Sequence, residues 1–141
     1  MSVLAVLDTN VIVSAGIRPG GGPARIVDAA LDGVVVPVIC PSVAREYHDV
    51  VTRPKFVRLD FPPIWLAGLI NLAHRLDRDP LPWPLVGPDP DDLIFLALAH
   101  ATGATLVTGN TADFPKRIRK GVTVMTPADY LDHLGELGHP L

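Results

Sequence analysis

The chain has 141 residues, 48% apolar and 19% charged, with a formal charge of −3, which suits one domain spanning 1–141 and excludes intrinsic disorder. No apolar run can cross a bilayer, and Asp8 and Asn10 interrupt the apolar start where a secretory leader needs continuity. The single cysteine, Cys40, excludes an internal disulfide and disfavours a structural zinc site, so a cytoplasmic protein with a buried, inert thiol is expected.

In chain order, Val3-Leu4-Ala5-Val6-Leu7 is a continuous apolar run, the pattern of a strand covered on both faces. Gly20-Gly21-Gly22-Pro23 marks a turn. A helix is predicted over 24–31, with Ile26, Val27, Ala30 and Leu31 at helical spacing and Gly33 as its stop. A second buried strand is predicted over 34–40, where Pro37 argues for a break or an edge position. Ser42 is the expected N-cap of a helix reaching about residue 52, ended by Pro54. Another helix is predicted over 64–76, entered through Pro62-Pro63 and apolar around most of its circumference. The proline-rich stretch 77–90 reads as an internal loop with a short strand at Leu85-Val86. A helix over 90–101, strands over 105–108 and 122–125, and a last helix follow. Thr126 is the N-cap of that last helix, Pro127 its N1 and Asp129 its N3. The alternation predicts the α/β class, a three-layer α/β/α arrangement around a central, mostly parallel sheet.

In such sheets, sites form beyond the carboxyl ends of the strands. Asp8 and Thr108-Gly109-Asn110 follow strands directly. Asp92 opens a helix, and Glu46 lies near the start of another. Helices running back along the sheet begin at that same rim, so the acids are expected to converge there. Converging carboxylates can hold a hard divalent cation such as Mg2+. Each acid alone has a plainer explanation. Asp92 at N3 would complement the helix dipole, worth ~0.3–1 kcal/mol, as would Asp89 or Asp91. Glu46 could be an ordinary polar residue of the first helical turns. Asp8 is the least ordinary, because a carboxylate at the mouth of a buried strand is costly unless paired or liganded.

Net charge at first disfavours a nucleic-acid partner. Cancelling four site carboxylates with metal, however, turns −3 into +1. Basic residues also bunch at Arg53, Lys55 and Arg58 and at Lys116, Arg117, Arg119 and Lys120. Either run could meet phosphate or serve as a solvated face. His48, His74 and His100 are read as helical and outside the chemistry.

Four segments, in order, carry a resemblance: Leu7-Asp8-Thr9-Asn10-Val11, Pro41-Ser42-Val43-Ala44-Arg45-Glu46, Asp89-Pro90-Asp91-Asp92-Leu93-Ile94-Phe95-Leu96-Ala97-Leu98-Ala99, and Leu106-Val107-Thr108-Gly109-Asn110-Thr111-Ala112-Asp113. The chain closely resembles the PIN domain family, most of all its bacterial VapC-like toxin components of toxin–antitoxin pairs, from Val3 to about Leu131. The resemblance implies a parallel sheet of order 3-2-1-4-5 and a metal-dependent ribonuclease using Mg2+ or Mn2+. It further implies a single-stranded RNA substrate, a homodimer, and a small antitoxin protein as partner. Position by position, Asp8, Glu46 and Asp92 match the family's first three acids, the implied metal ligands and catalytic groups. Asp92 stands seven residues before the small Ala99. Where many members place Asp after Thr-Gly, this chain has Asn110, which supplies a carbonyl but no charge; Asp113 follows closely as a candidate catalytic carboxylate, and either Asn110 or Asp113 could fill the fourth position. Thr9, Asn10, Thr108 and Asn110 match supporting polar positions. The Asn110 departure leaves open one or two metal ions, and also a catalytically weak RNA-binding or protein-interaction module. A haloacid-dehalogenase-type phosphohydrolase would need Asp where Asn10 stands, and a receiver domain would need an acidic pair and a late lysine; neither pattern is present. Trp65 and Leu69 share one face of the 64–76 helix and are the expected subunit contacts.

Overall fold

The fold, a computed structural model describing residues 3–56 and 59–139, grows from the apolar runs. The first run becomes β1, Val3–Leu7, with Ala5, Val6 and Leu7 wholly buried. The chain turns directly into α1, Thr9–Ile17, which buries Val11, Ile12 and Ala15 at helical spacing. Next come α2, Gly22–Leu31, and β2, Val35–Ile39. Gly33, at φ +84°, makes the left-handed turn that ends the helix. Then follow α3, Pro41–Val51; α4, Leu66–Leu72; β3, His74–Arg75; α5, Leu93–Thr102; β4, Thr105–Val107; β5, Val124–Met125; and α6, Pro127–Glu136.

All five strands are parallel, in the order β3-β2-β1-β4-β5. At the centre, Ala5 of β1 stands level with Pro37 of β2 on one side and Thr105 of β4 on the other. The α5 helix lies on β1, β2 and β4 and touches α3, while α2 packs on β2 and meets α1, α4 and α6. This is the expected three-layer α/β/α architecture. The core runs through both layers, from Ile26, Val27, Leu69 and Leu134 to Tyr47, Phe95, Leu96 and Leu98. Among the described residues, no helix is long and apolar enough to cross a membrane.

Several expectations need correction. Pro37 lies within an interior strand. Yet β3 pairs with β2 only from Val38 onward, so the proline sits where β2 has a neighbour on one side alone. The 64–76 helix is cut to Leu66–Leu72, and its expected tail becomes the edge strand β3, with the Leu76 N–H donating to Ile39 C=O. His74 is thus in a strand. Two polar, exposed residues carry no strand signature, which suits an edge. Leu69 is 1% exposed, a core residue, and not a candidate subunit contact. No strand forms at Leu85-Val86. The helix expected over 90–101 begins as a tight 3-10 turn, Pro90–Asp92, with α-helical geometry from Leu93. Asp89 caps that turn, its Oδ1 accepting from the Asp91 N–H at 2.9 Å. Thr126 does cap α6, its hydroxyl accepting from the Asp129 N–H at 3.1 Å. Arg58, one of the basic residues singled out above, lies outside the described residues.

Candidate active site

Asp8 leaves the end of β1 as the N-cap residue of α1 and is only 5% exposed. Its backbone N–H still donates to Val107 C=O at 2.9 Å, so the β1–β4 ladder fixes its place. Two side chains reach its Oδ2: the Thr108 hydroxyl at 2.8 Å and the Asn10 amide at 3.3 Å. Burial pushes the Asp8 carboxyl above its ordinary range. The bond from Thr108 and the nearby backbone N–H groups partly offset this, and the charge of Glu46 adds to it.

Asn10 stitches the turn after β4 to the first turn of α1. Its Oδ1 accepts the Gly109 N–H at 3.0 Å, and its amide also reaches Thr108 Oγ1 at 3.4 Å. Thr108 accepts the Asn110 N–H at 3.1 Å while its own proton goes to Asp8. The Asp8, Asn10 and Thr108 side chains are thus joined in one lattice, each with at least one partner.

Glu46 comes from α3. Its Oε2 accepts the Thr9 hydroxyl at 2.5 Å, which joins α3 to the start of α1. The α3 helix starts at Pro41, with Cys40 as its N-cap, two residues before the Ser42 cap expected from sequence. Ser42 instead donates its N–H, at 2.9 Å, and its hydroxyl to the Asp79 carboxylate. Those bonds hold the Asp79 carboxyl below its ordinary range. Cys40 is buried, and its thiol is pushed up to about 11, chiefly by that burial.

Asp92 stands at the junction of the 3-10 turn and α5. Its carboxyl is raised to about 7, first by partial burial and then by the charges of Asp8, Asp89, Asp113 and Glu46. Asp113 lies on a 3-10 turn, Thr111–Asp113, after β4, and its Oδ2 accepts the Asn110 amide at 3.0 Å. The fold therefore brings Asp8, Glu46, Asp92 and Asp113 from four segments into one electrostatic neighbourhood at the carboxyl rim. Among the described residues, no three acid, histidine or cysteine side chains are gathered closely enough to enclose an ion in the conformation seen. The donors are nevertheless all hard oxygens, the Asp8 and Asp92 carboxyls are held above their normal range by burial and then by neighbouring charge, and no cation of the chain is paired with them in the contacts above. That set fits Mg2+ or Mn2+.

Sequence reading missed Tyr47. It is 1% exposed, and its hydroxyl donates to the carbonyl of Leu7, the residue before Asp8. Burial and the charges of Asp8 and Glu46 push its hydroxyl well above the ordinary tyrosine range. The bond locks α3 to the end of β1 and so sets Glu46 beside Asp8. One signal was available: Tyr47 falls on the buried stripe Val43-Tyr47-Val51, and a buried tyrosine needs a partner for its hydroxyl.

A relative from Methanocaldococcus jannaschii, the uncharacterized protein MJ1680, is 25% identical over 118 residues, 78% of this chain and 72% of its own. Residues 4–112 match the PIN domain, a stretch running from β1 through the turn that carries Asn110. PIN domains are generally nucleases, typically metal-dependent. A match over that much of the chain, closing on the same rim where the carboxylates gather, places the protein in the PIN domain family.

Proposed function

We propose that the protein is a metal-dependent endoribonuclease that cleaves single-stranded RNA. The observation that carries this reading is the gathering of carboxylates at one rim, where partial burial first, and then the charges of Asp8, Asp89, Asp113 and Glu46, raise the Asp92 carboxyl to about 7. Such strain costs stability and is relieved by a divalent cation. Asp8 and Asp92 would hold the cation, with Glu46 as a third ligand, and Mg2+ or Mn2+ is the expected ion. When bound, it supplies charge neutralisation for a phosphodiester and a more acidic water. Thr108 and Asn10 keep the Asp8 carboxylate oriented. Thr9 holds Glu46 in line with it, positioned to orient a water or take its proton. Asp113, tied to Asn110, closes the outer side of the rim as a further acid. An unpaired strand suits the rim because its backbone can bend toward the carboxylates.

Within this reading the protein acts as the toxin of a toxin–antitoxin pair, restrained by a small antitoxin protein, and works as a homodimer in the cytoplasm. The VapC-like order of motifs supports this. A second reading, a catalytically weak RNA-binding or protein-interaction module, is favoured by Asn110, which stands where a fourth acid is common.

The deciding experiment incubates the purified chain with a single-stranded RNA under titrated Mg2+ or Mn2+. Cleavage should appear with metal, vanish in EDTA, and fall at least about a hundredfold in Asp8→Asn and Asp92→Asn. Metal-independent cleavage, or cleavage retained in both variants, would exclude the proposed site. RNA binding without cleavage at any metal concentration would favour the second reading.

A further inference from the structure

The far end of α5 carries a second concentration of chemistry. A groove of about 460 Å³ runs there between the helix and the proline-rich segment 80–84, lined by Leu81, Pro82, Trp83, Ala97, His100 and Lys120 among others. Two bonds tie the proline-rich wall to the turn 116–120. The Trp83 indole N–H donates to Ile118 C=O at 2.8 Å, and Arg117 donates to Val86 C=O at 3.1 Å. The Trp83 ring is met edge-on by His100, ring centres 5.4 Å apart, and Lys120 Nζ stands 5.7 Å from its centre. Leu81 is 88% exposed at the lip. Lys116 and Lys120 are exposed, and among the described residues neither is paired with a carboxylate.

Aromatic and apolar walls with one ammonium group, that of Lys120 over the Trp83 ring, match the chemistry of an unstacked nucleobase and its phosphate. They fit no small metabolite that would demand a dense hydrogen-bond array, because His100 and Lys120 are the titratable side chains lining the groove. The position suits a strand as well. Asp92 precedes α5 and His100 lies eight residues on, so the groove stands about 12 Å along the helix from the acidic rim. Lys116 and Arg117 fall between Asp113 and Lys120 in the chain, and both are exposed.

We propose that this groove is a subsite for an unpaired base of single-stranded RNA lying away from the cleaved phosphate, with Lys120 against the adjoining phosphate. The proposal rests on the ribonuclease reading above and adds a place where the strand is gripped. Stacking against Trp83 and the proline walls tolerates any base, so the subsite confers length dependence and no sharp sequence preference.

The test is equilibrium binding of fluorescein-labelled hexauridylate in EDTA, read by anisotropy, for wild type, Lys120→Glu, His100→Ala and Trp83→Ala. Lys120 and His100 are exposed, so these two variants carry the test if Trp83→Ala does not fold. Each should weaken hexamer binding about tenfold with melting temperature unchanged. Lys120→Glu should also flatten the slope of log K against log salt by about 0.7. A diuridylate, too short to span rim and groove, should not register the substitutions. Hexamer affinity and salt slope unaltered in both exposed variants overturn the proposal, and cleavage by the same preparation in Mn2+ would show that the ribonuclease reading survives it. Hexamer binding that depends on Lys120 with no cleavage in Mn2+ keeps the subsite and rejects the nuclease. If the substitutions instead shift the sedimentation of the protein alone, the groove belongs to a second copy of the chain and the proposal falls.

Discussion

Single side chains at the rim do two jobs at once. Thr9, Asn10 and Thr108 each bond an acid or its neighbour and also tie one element to the next, so the same hydrogen bonds that satisfy buried polar atoms orient the carboxylates. Tyr47 does the same from beneath, through the Leu7 carbonyl. Asp92 is the residue with the clearest consequence in solution. Its folded value of about 7 stands above the ordinary 3.8. Between those values the folded protein keeps a proton that the unfolded chain has lost. The contribution to stability is therefore intact below the unfolded value and drains away as pH rises through about 7. In EDTA at pH 8, Asp92→Asn should melt above wild type by roughly 2–4 °C, a figure held down by solvent screening of a half-buried group. The two melting curves should converge only below the unfolded value of 3.8, where Asp92 is protonated in the folded and unfolded chain alike. A variant that melts lower than wild type at pH 8 would show that the rim is not electrostatically strained.

At the scale of elements, helix starts gather the chemistry. The α3 and α5 helices begin at the carboxyl rim because each returns along the parallel sheet, and their opening turns carry Glu46 and Asp92. The proline-rich segment after β3 is pinned to α3 through Asp79 and Ser42 before it reaches Asp89, so the loop that delivers Asp92 is anchored at its start. The α4 helix shows where periodicity misleads. Its apolar circumference suggested a spare face for a subunit contact, yet Leu66 and Leu69 are buried while Ile64, just before it, is 97% exposed. Leu69→Ala should cost ~2–4 kcal/mol of unfolding free energy by leaving a cavity. Ile64→Glu should change stability by no more than about 0.5 kcal/mol. Urea denaturation of both variants checks the assignment, and a cost below about 1 kcal/mol for Leu69→Ala would place that side chain outside the core.

For the molecule as a whole, strand order decides which segments share the rim. With β1 between β2 and β4, the residues after β1 and β4 and the helices after β2 and before β4 meet at one end. A chain of formal charge −3 thereby concentrates carboxylates at that end, while Lys116, Arg117 and Lys120 stand on the turn leading toward the groove at the far end of α5. A cation that binds only the folded form should stabilise the whole fold. At a hundred times its dissociation constant, Mg2+ or Mn2+ should add about 2.7 kcal/mol. Thermal melts across a metal titration should rise toward that value in wild type and stay flat in Asp8→Asn. A wild-type melt indifferent to both ions would leave the acids without a cation to hold.

Local pattern and composition were sufficient for the fold class, for the Val3-to-Leu7 strand, for the stop at Gly33 and for the cap at Thr126, because each depends on burial period or turn chemistry within a few residues. The order of the acidic motifs pointed to the PIN domain and to the carboxyl rim. Tertiary structure alone decided the rest. A two-residue edge strand has no period to read, so β3 emerged only from its pairing with β2. A helix apolar on several faces does not say which face is inside, so Leu69 waited on the packing of α4 against α2 and β2. Tyr47 joining Leu7, and Asp79 holding Ser42, link residues 40 and 37 positions apart. Contacts at that range depend on where the sheet brings two segments together, and no local pattern encodes it.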